Sequence, residues 1–183
     1  AVLANTESLE EPLPAPLAIA HSMHRLNCIA CHTRSDIGGP DDKQKLLFLA
    51  EEHAELGDEG RIPPNLDDVG NKLRLSALRE VLLNGEKVRP YMKTRMPQFG
   101  ANQIEDLVVH FAAADARPND AVEPAFTIAT ADTGRALAGS EGVSCIQCHT
   151  AAGHPSLGVP AIDLTDMHHR IRPGWFRSHL LDP

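Results

Sequence analysis

All four cysteines of this 183-residue chain fall in two copies of one pentapeptide, Cys28-Ile29-Ala30-Cys31-His32 and Cys145-Ile146-Gln147-Cys148-His149. Few sequence features constrain a chain more. Cysteines three apart lie on one side of a helical turn, and the histidine next in line swings over the same side. Cys-x-x-Cys-His is the attachment signature of c-type haem: each thiol forms a thioether with a vinyl group and the histidine is the proximal iron ligand. Three plainer readings compete. Thiols separated by two residues seldom form structural disulfides, adjacent Cys and His ligands do not match the usual spacing of structural zinc, and a redox dithiol gives the histidine no reason to recur. The pattern assigns Cys28, Cys31 and His32 to one haem and Cys145, Cys148 and His149 to another. Aromatic residues are 4% of the chain, which leaves a core short of bulk that two large flat cofactors would fill.

The motifs lie 117 positions apart, and the segments after them also match, at an offset of 98. On that offset Leu66 pairs with Leu164, Leu73 with Ile171, Arg74 with Arg172, Leu78 with Phe176, Arg79 with Arg177 and Leu82-Leu83 with Leu180-Leu181. The first copy therefore carries an insertion, at about residues 38–60. It opens on turn residues, predicts a helix over 43–54 behind Asp41-Asp42, and closes at Gly57–Gly60. His53, inside it, reads as a solvated surface group.

Capping and period predict helices elsewhere. An apolar helix precedes each haem motif; another runs from a Ser76 cap to Gly85; a third starts near Asn102 with Glu105 three residues on, its apolar face Ile104, Leu107, Val108 and Phe111. No strand pattern stands out. Residues 116–124 form a polar, proline-bounded linker. The expectation is an all-α chain of two small domains, 17–115 and 125–183.

At these residues the chain resembles tandem class I cytochrome c domains. The first copy has the family's order: a helix, CIACH, a Pro-x-Leu segment at Pro64-Asn65-Leu66, a helix, Thr94-Arg95-Met96-Pro97-Gln98-Phe99-Gly100, and a closing helix. The insertion and the phrases GRIPPNL and RPYMKTRMP resemble haem-binding domains of large multidomain bacterial redox proteins. The resemblance implies that Met96 is the sixth ligand of the first iron, a soft thioether that favours Fe(II). Met92 and Met23 are expected to pack in the core or against haem. Propionate partners are expected among Arg61, Lys72, Arg74 and Arg95 in the first copy and Arg170 and Arg172 in the second; Trp175 is a core residue or a propionate donor. Shifted by 98 positions, Met96 falls beyond Pro183, so the second copy is expected to lack its ligand loop and closing helix, as a piece of a longer parent with further domains. The same shift sets Met167, His168 and His169 opposite Val69, Gly70 and Asn71, which makes them a turn before the last helix rather than ligands. His154 and His179 are expected at the surface.

The formal charge of −8 makes a nucleic-acid partner a poor fit and favours redox partner proteins with a basic docking patch. No run approaches the roughly 18 apolar residues of a membrane span. Ala1–Ala4 is too short for a leader's apolar core, so any leader is expected to have been removed or never to have been part of this sequence. The reading is electron transfer through two covalent haem c groups in a bacterial periplasmic or other extracytoplasmic compartment, and more an electron carrier than an enzyme. The rivals are a dihaem enzyme, peroxidase-like or oxidising sulfur compounds, and a gas sensor using an open second iron.

Overall fold

The structure is a computed structural model describing residues 11–49, 54–89, 91–117 and 126–182. Half of the chain is helical and 5% is strand, which places it in the helical class. Most of the expected linker, and His53, lie outside the described residues. The sheet absent from the sequence expectation is a two-residue hairpin, β1 (Thr33–Arg34) against β2 (Ile37–Gly38). Its turn residues Ser35 and Asp36 take left-handed φ values of 51° and 61°. That is the tight hairpin geometry usually signalled by Asn-Gly, which this stretch does not contain.

Helix α1 (Ala15–Arg25) starts with a proline in its first turn and buries Ala18, Ile19 and Met23. It packs along α5 (Ala101–Ala114), whose buried face is Ile104, Leu107, Val108 and Phe111, as its period predicts. Between them in sequence come α2 (Asp42–Lys45), α3 (Val69–Lys72) and α4 (Leu75–Arg79), the last widening into a π turn at Glu80–Asn84 that Gly85 ends with φ 67°. One core joins Ile19, Met23, Leu73, Leu78, Leu107, Val108 and Phe111. Burying a side chain of this size contributes about 1.5–3 kcal/mol. At Gly70 a Cβ would stand 2.0 Å from the Phe111 carbonyl oxygen, so α3 meets α5 backbone to backbone and only glycine fits. Arg34 and Asp115 then lock the end of α5: their ion pair, Nη2 to Oδ1 at 2.5 Å, comes with a second bond from Gly70 N–H to Asp115 at 2.8 Å.

Three expected boundaries move. The inserted helix starts as foreseen, with Asp41 and Gln44 forming a capping box, but stops at Lys45. Leu46, Leu47 and Leu49 after it are 72%, 79% and 56% exposed, so no packing propagates the helix. Ser76 and Asn102 lie inside helices rather than capping them; the cap positions are Arg74 and Gly100, neither of which caps its helix through a side chain.

Farther along lie α6 (Ile128–Ala138), capped by Thr127 and Thr130, then α7 (Met167–Arg170) and α8 (Pro173–Leu181). Leu73 and Ile171, which the repeat makes equivalent, pair with each other in an antiparallel bridge. Arg74 N–H donates to the Arg170 carbonyl at 2.9 Å, and Arg172 N–H donates to the Lys72 carbonyl at 3.0 Å. Each bond is the image of the other under the 98-residue shift, so the two copies meet across a local two-fold axis. The bridge also explains the missing Ser76 cap. It holds Arg74 and Arg172 extended, and α4 and α8 begin on the next residue.

Candidate functional site

Each Cys-x-x-Cys-His pentapeptide forms one tight 3-10 turn, Cys28–Ala30 and Cys145–Gln147. The residue before each, Asn27 or Ser144, is left-handed, with φ 56° and 59°. In both turns the second cysteine and the histidine donate their N–H groups to the first cysteine's carbonyl, at 3.1 and 2.9 Å in one copy and 3.2 and 2.9 Å in the other. The thiols point out of one turn, half-buried or exposed, and all four cysteines are free. Burial pushes the Cys28 thiol up, its own backbone N–H opposes this, and Cys31 adds to the rise.

The segments from Pro64 and Ile162 fold back on these turns through matched bonds. His32 Nδ1 donates to the Pro64 carbonyl at 2.7 Å, and His149 Nδ1 to the Ile162 carbonyl at 2.7 Å. A carbonyl can only accept, so the proton sits on Nδ1 and Nε2 keeps the lone pair a metal needs. Leu66 N–H bonds Thr33 O and Leu164 N–H bonds Thr150 O, both at 2.8 Å. Asn65 Oδ1 and Asp163 Oδ1 each accept the N–H two residues on, at 2.6 and 2.8 Å. Burial lowers the pKa of His32, the Pro64 carbonyl raises it, and the Arg89 charge lowers it further. The net result is a neutral imidazole, the form that ligates metal.

The remaining expected residues divide. Met92 and Met23 are core side chains, 8% and 3% exposed. Met96 is half-buried in the loop before α5. Met167 is half-buried, while His168 and His169 are exposed and tilted against each other on the single turn of α7, in line with a turn reading. His154 and His179 are exposed. Trp175 is not a core residue; it is half-buried at the junction of the copies, stacked on His179 at 4.7 Å with Lys72 Nζ 4.4 Å from its ring. Arg61 is engaged with Asp58 at 2.6 Å and the Lys45 carbonyl at 2.5 Å, so it staples the insertion and leaves the list of propionate partners.

Sequence reasoning missed Arg89. It pairs with Glu59 at 3.1 Å, and its charge reaches His32, Lys72, Tyr91 and Arg170. Nothing in the local sequence marks it, since the neighbours that make it central come from both copies. Arg170, at the position matching Lys72, has a buried Nη1 with no hydrogen-bond partner among the described residues. A buried guanidinium N–H left unbonded among the described residues fits an acidic group of a bound partner.

Comparison with protein-family models, with curated proteins and with solved structures gave no match. The chemistry of the donor set is therefore what the site offers: two pairs of free thiols on one-turn scaffolds, each beside an imidazole whose Nε2 is the available lone pair. This set fits a covalently attached c-type haem in each copy.

Proposed function

We propose that the protein is a dihaem c-type cytochrome that carries electrons, built from two cytochrome c-like units in tandem. The observation that carries the reading is the duplicated turn: in both copies one carbonyl fixes the histidine tautomer at the same 2.7 Å, beside two free thiols. Cys28, Cys31 and His32 would hold the first haem, with Met96 as sixth ligand, and Cys145, Cys148 and His149 the second. The iron of each group cycles between Fe(III) and Fe(II). The chain's part is to hold the groups, exclude water from the first through the Ile19–Phe111 core, and set the charge around them. The small core supports this reading, because the buried apolar residues among those described lie between Ala18 and Phe111.

Thioether attachment takes place outside the bacterial cytoplasm, so a periplasmic or cell-surface setting goes with the reading. Among the described residues no helix is long and apolar enough to cross a membrane. With a formal charge of −8, the surface suits redox partners carrying a basic patch. The test is intact mass under denaturing conditions after expression with cytochrome c maturation machinery. A mass above the bare chain by two haems is expected. A bare-chain mass would reject the proposal. A holoprotein that turns over peroxide or a sulfur compound would move the reading to the enzyme alternative.

A further inference from the structure

The junction between the copies gathers cations around a local two-fold axis. Lys72 and Arg170 occupy the same position in the two repeats, and each carries the carbonyl that accepts the other copy's bridging N–H. Arg74 Nε crosses the junction to the His168 carbonyl at 2.8 Å, and Arg172 Nε crosses back to the Leu73 carbonyl at 3.3 Å. Arg89 stands close enough to Lys72 and to Arg170 to act on both. Among the described residues, carboxylates facing this group include Glu59, which pairs with Arg89 and acts on Lys72, and Glu86, which acts on Arg170. One polar atom of this group is left over among the described residues: Arg170 Nη1 is buried and has no hydrogen-bond partner there. Lys72 Nζ lies over the Trp175 ring, within reach of the Glu59 charge.

We propose, resting on the dihaem reading, that Lys72 and Arg170 form one shared carboxylate-binding site at the two-fold junction, which takes a propionate from each haem and couples the two groups electrostatically. The geometry reaches both motifs. Arg89 acts on His32 as well as on the junction. The segment carrying Arg170 is tied to the second motif by bonds that match those tying Lys72's segment to the first, Leu164 to Thr150 and Leu66 to Thr33. Arg170 therefore stands to His149 as Lys72 stands to His32. A cation shared between two propionates acts on both irons, whereas one belonging to a single unit acts chiefly on its own.

The test is a redox titration of the holoprotein with the two haems resolved. Arg170→Gln is expected to lower both midpoint potentials, because losing a cation near the propionates stabilises Fe(III) at both irons. Arg170→Lys should restore most of each shift, and Arg135→Gln, whose partner is the exposed Asp132, should move neither. Lys72→Gln should also lower both. The double variant should depart from the sum of the single shifts, as groups in one network do. A shift confined to one haem, no shift, or strictly additive shifts would overturn the shared site while leaving two haems attached. A bare-chain mass would instead fail the dihaem reading, and the shared site with it.

Discussion

The two copies make the same turn and differ in what covers it. Around Cys28 and around Cys145 the backbone bonds agree to within 0.2 Å, and the histidine carbonyl bonds are both 2.7 Å. Yet Leu78 is 4% exposed and its counterpart Phe176 is 44% exposed. In the first copy α5 lies over α1, α3 and α4 and completes a core. In the second, no residue of α6, α7 or α8 is buried. The haem-motif turn is thus a local structure that forms without a core, because it satisfies its own backbone groups within one loop. Closure is a separate, tertiary event. The glycine that allows it in the first copy, Gly70, is replaced in the second by His168, which could not meet a helix at the same distance.

The comparison can be broken most severely at the cysteines. Cys28→Ala with Cys31→Ala should remove one haem by intact mass, and Cys145→Ala with Cys148→Ala the other. Equal losses would show that two unlike frames load alike; failure of the second motif to load at all would show that closure is needed. Closure itself is tested by Phe111→Ala, which should destabilise the first copy by about 3–5 kcal/mol, whereas Phe176→Ala should change stability by about 0.5 kcal/mol or less. Denaturant melts followed at each haem would check this. Breaking the Arg34–Asp115 pair with Asp115→Asn should also act on the first copy alone. The pair is largely buried and removing one partner costs about 3–5 kcal/mol, while Arg34's counterpart, Ala151, has no such bond to lose.

A spectroscopic contrast is gentler. Met96→Ala should abolish the near-infrared methionine–iron band with the fold intact, and Met92→Ala should cost stability while keeping the band. Alanine at Met167, His168 or His169 should leave the spectrum of the dilute protein unchanged. If one of those three removes a low-spin signal, α7 is a ligand in the second copy and the comparison has been drawn wrongly. The smallest effect should come from acid. Asp163 is held below its ordinary range by the Thr165 hydroxyl and N–H, while its counterpart Asn65 does not titrate. A depressed carboxylate stabilises the fold fully above its ordinary value, and that contribution is lost as pH falls through the lowered one. The second copy's turn should therefore loosen in acid before the first's, and Asp163→Asn should make the two alike in a pH titration followed by NMR.

Much of the local geometry of the two motifs was legible in the residues. The spacing of Cys28, Cys31 and His32 specifies a turn whose bonds are all local, so tertiary context has little to alter. The face of α5 was legible for the same reason, since its period alone brings Ile104, Leu107, Val108 and Phe111 together. The 98-residue offset was legible too, and the structure reproduces it bond for bond at Asn65 and Asp163. The caps were not. Ser76 has the right side chain, but Arg74 is held extended by a partner 96 positions away, and the helix starts where that partner puts it.

By itself, then, the sequence determined two equivalent turns, their free thiols and the helical class, because each depends on groups within a few residues. Only the tertiary structure decided that Gly70 must be bare of a side chain, that Trp175 faces Lys72 instead of a core, that Arg61 belongs to the insertion, and that the Arg89 charge acts on Arg170. These depend on distances between segments far apart in the chain. Periodicity and spacing carry no record of those distances, since charge and close packing act through space rather than along the backbone.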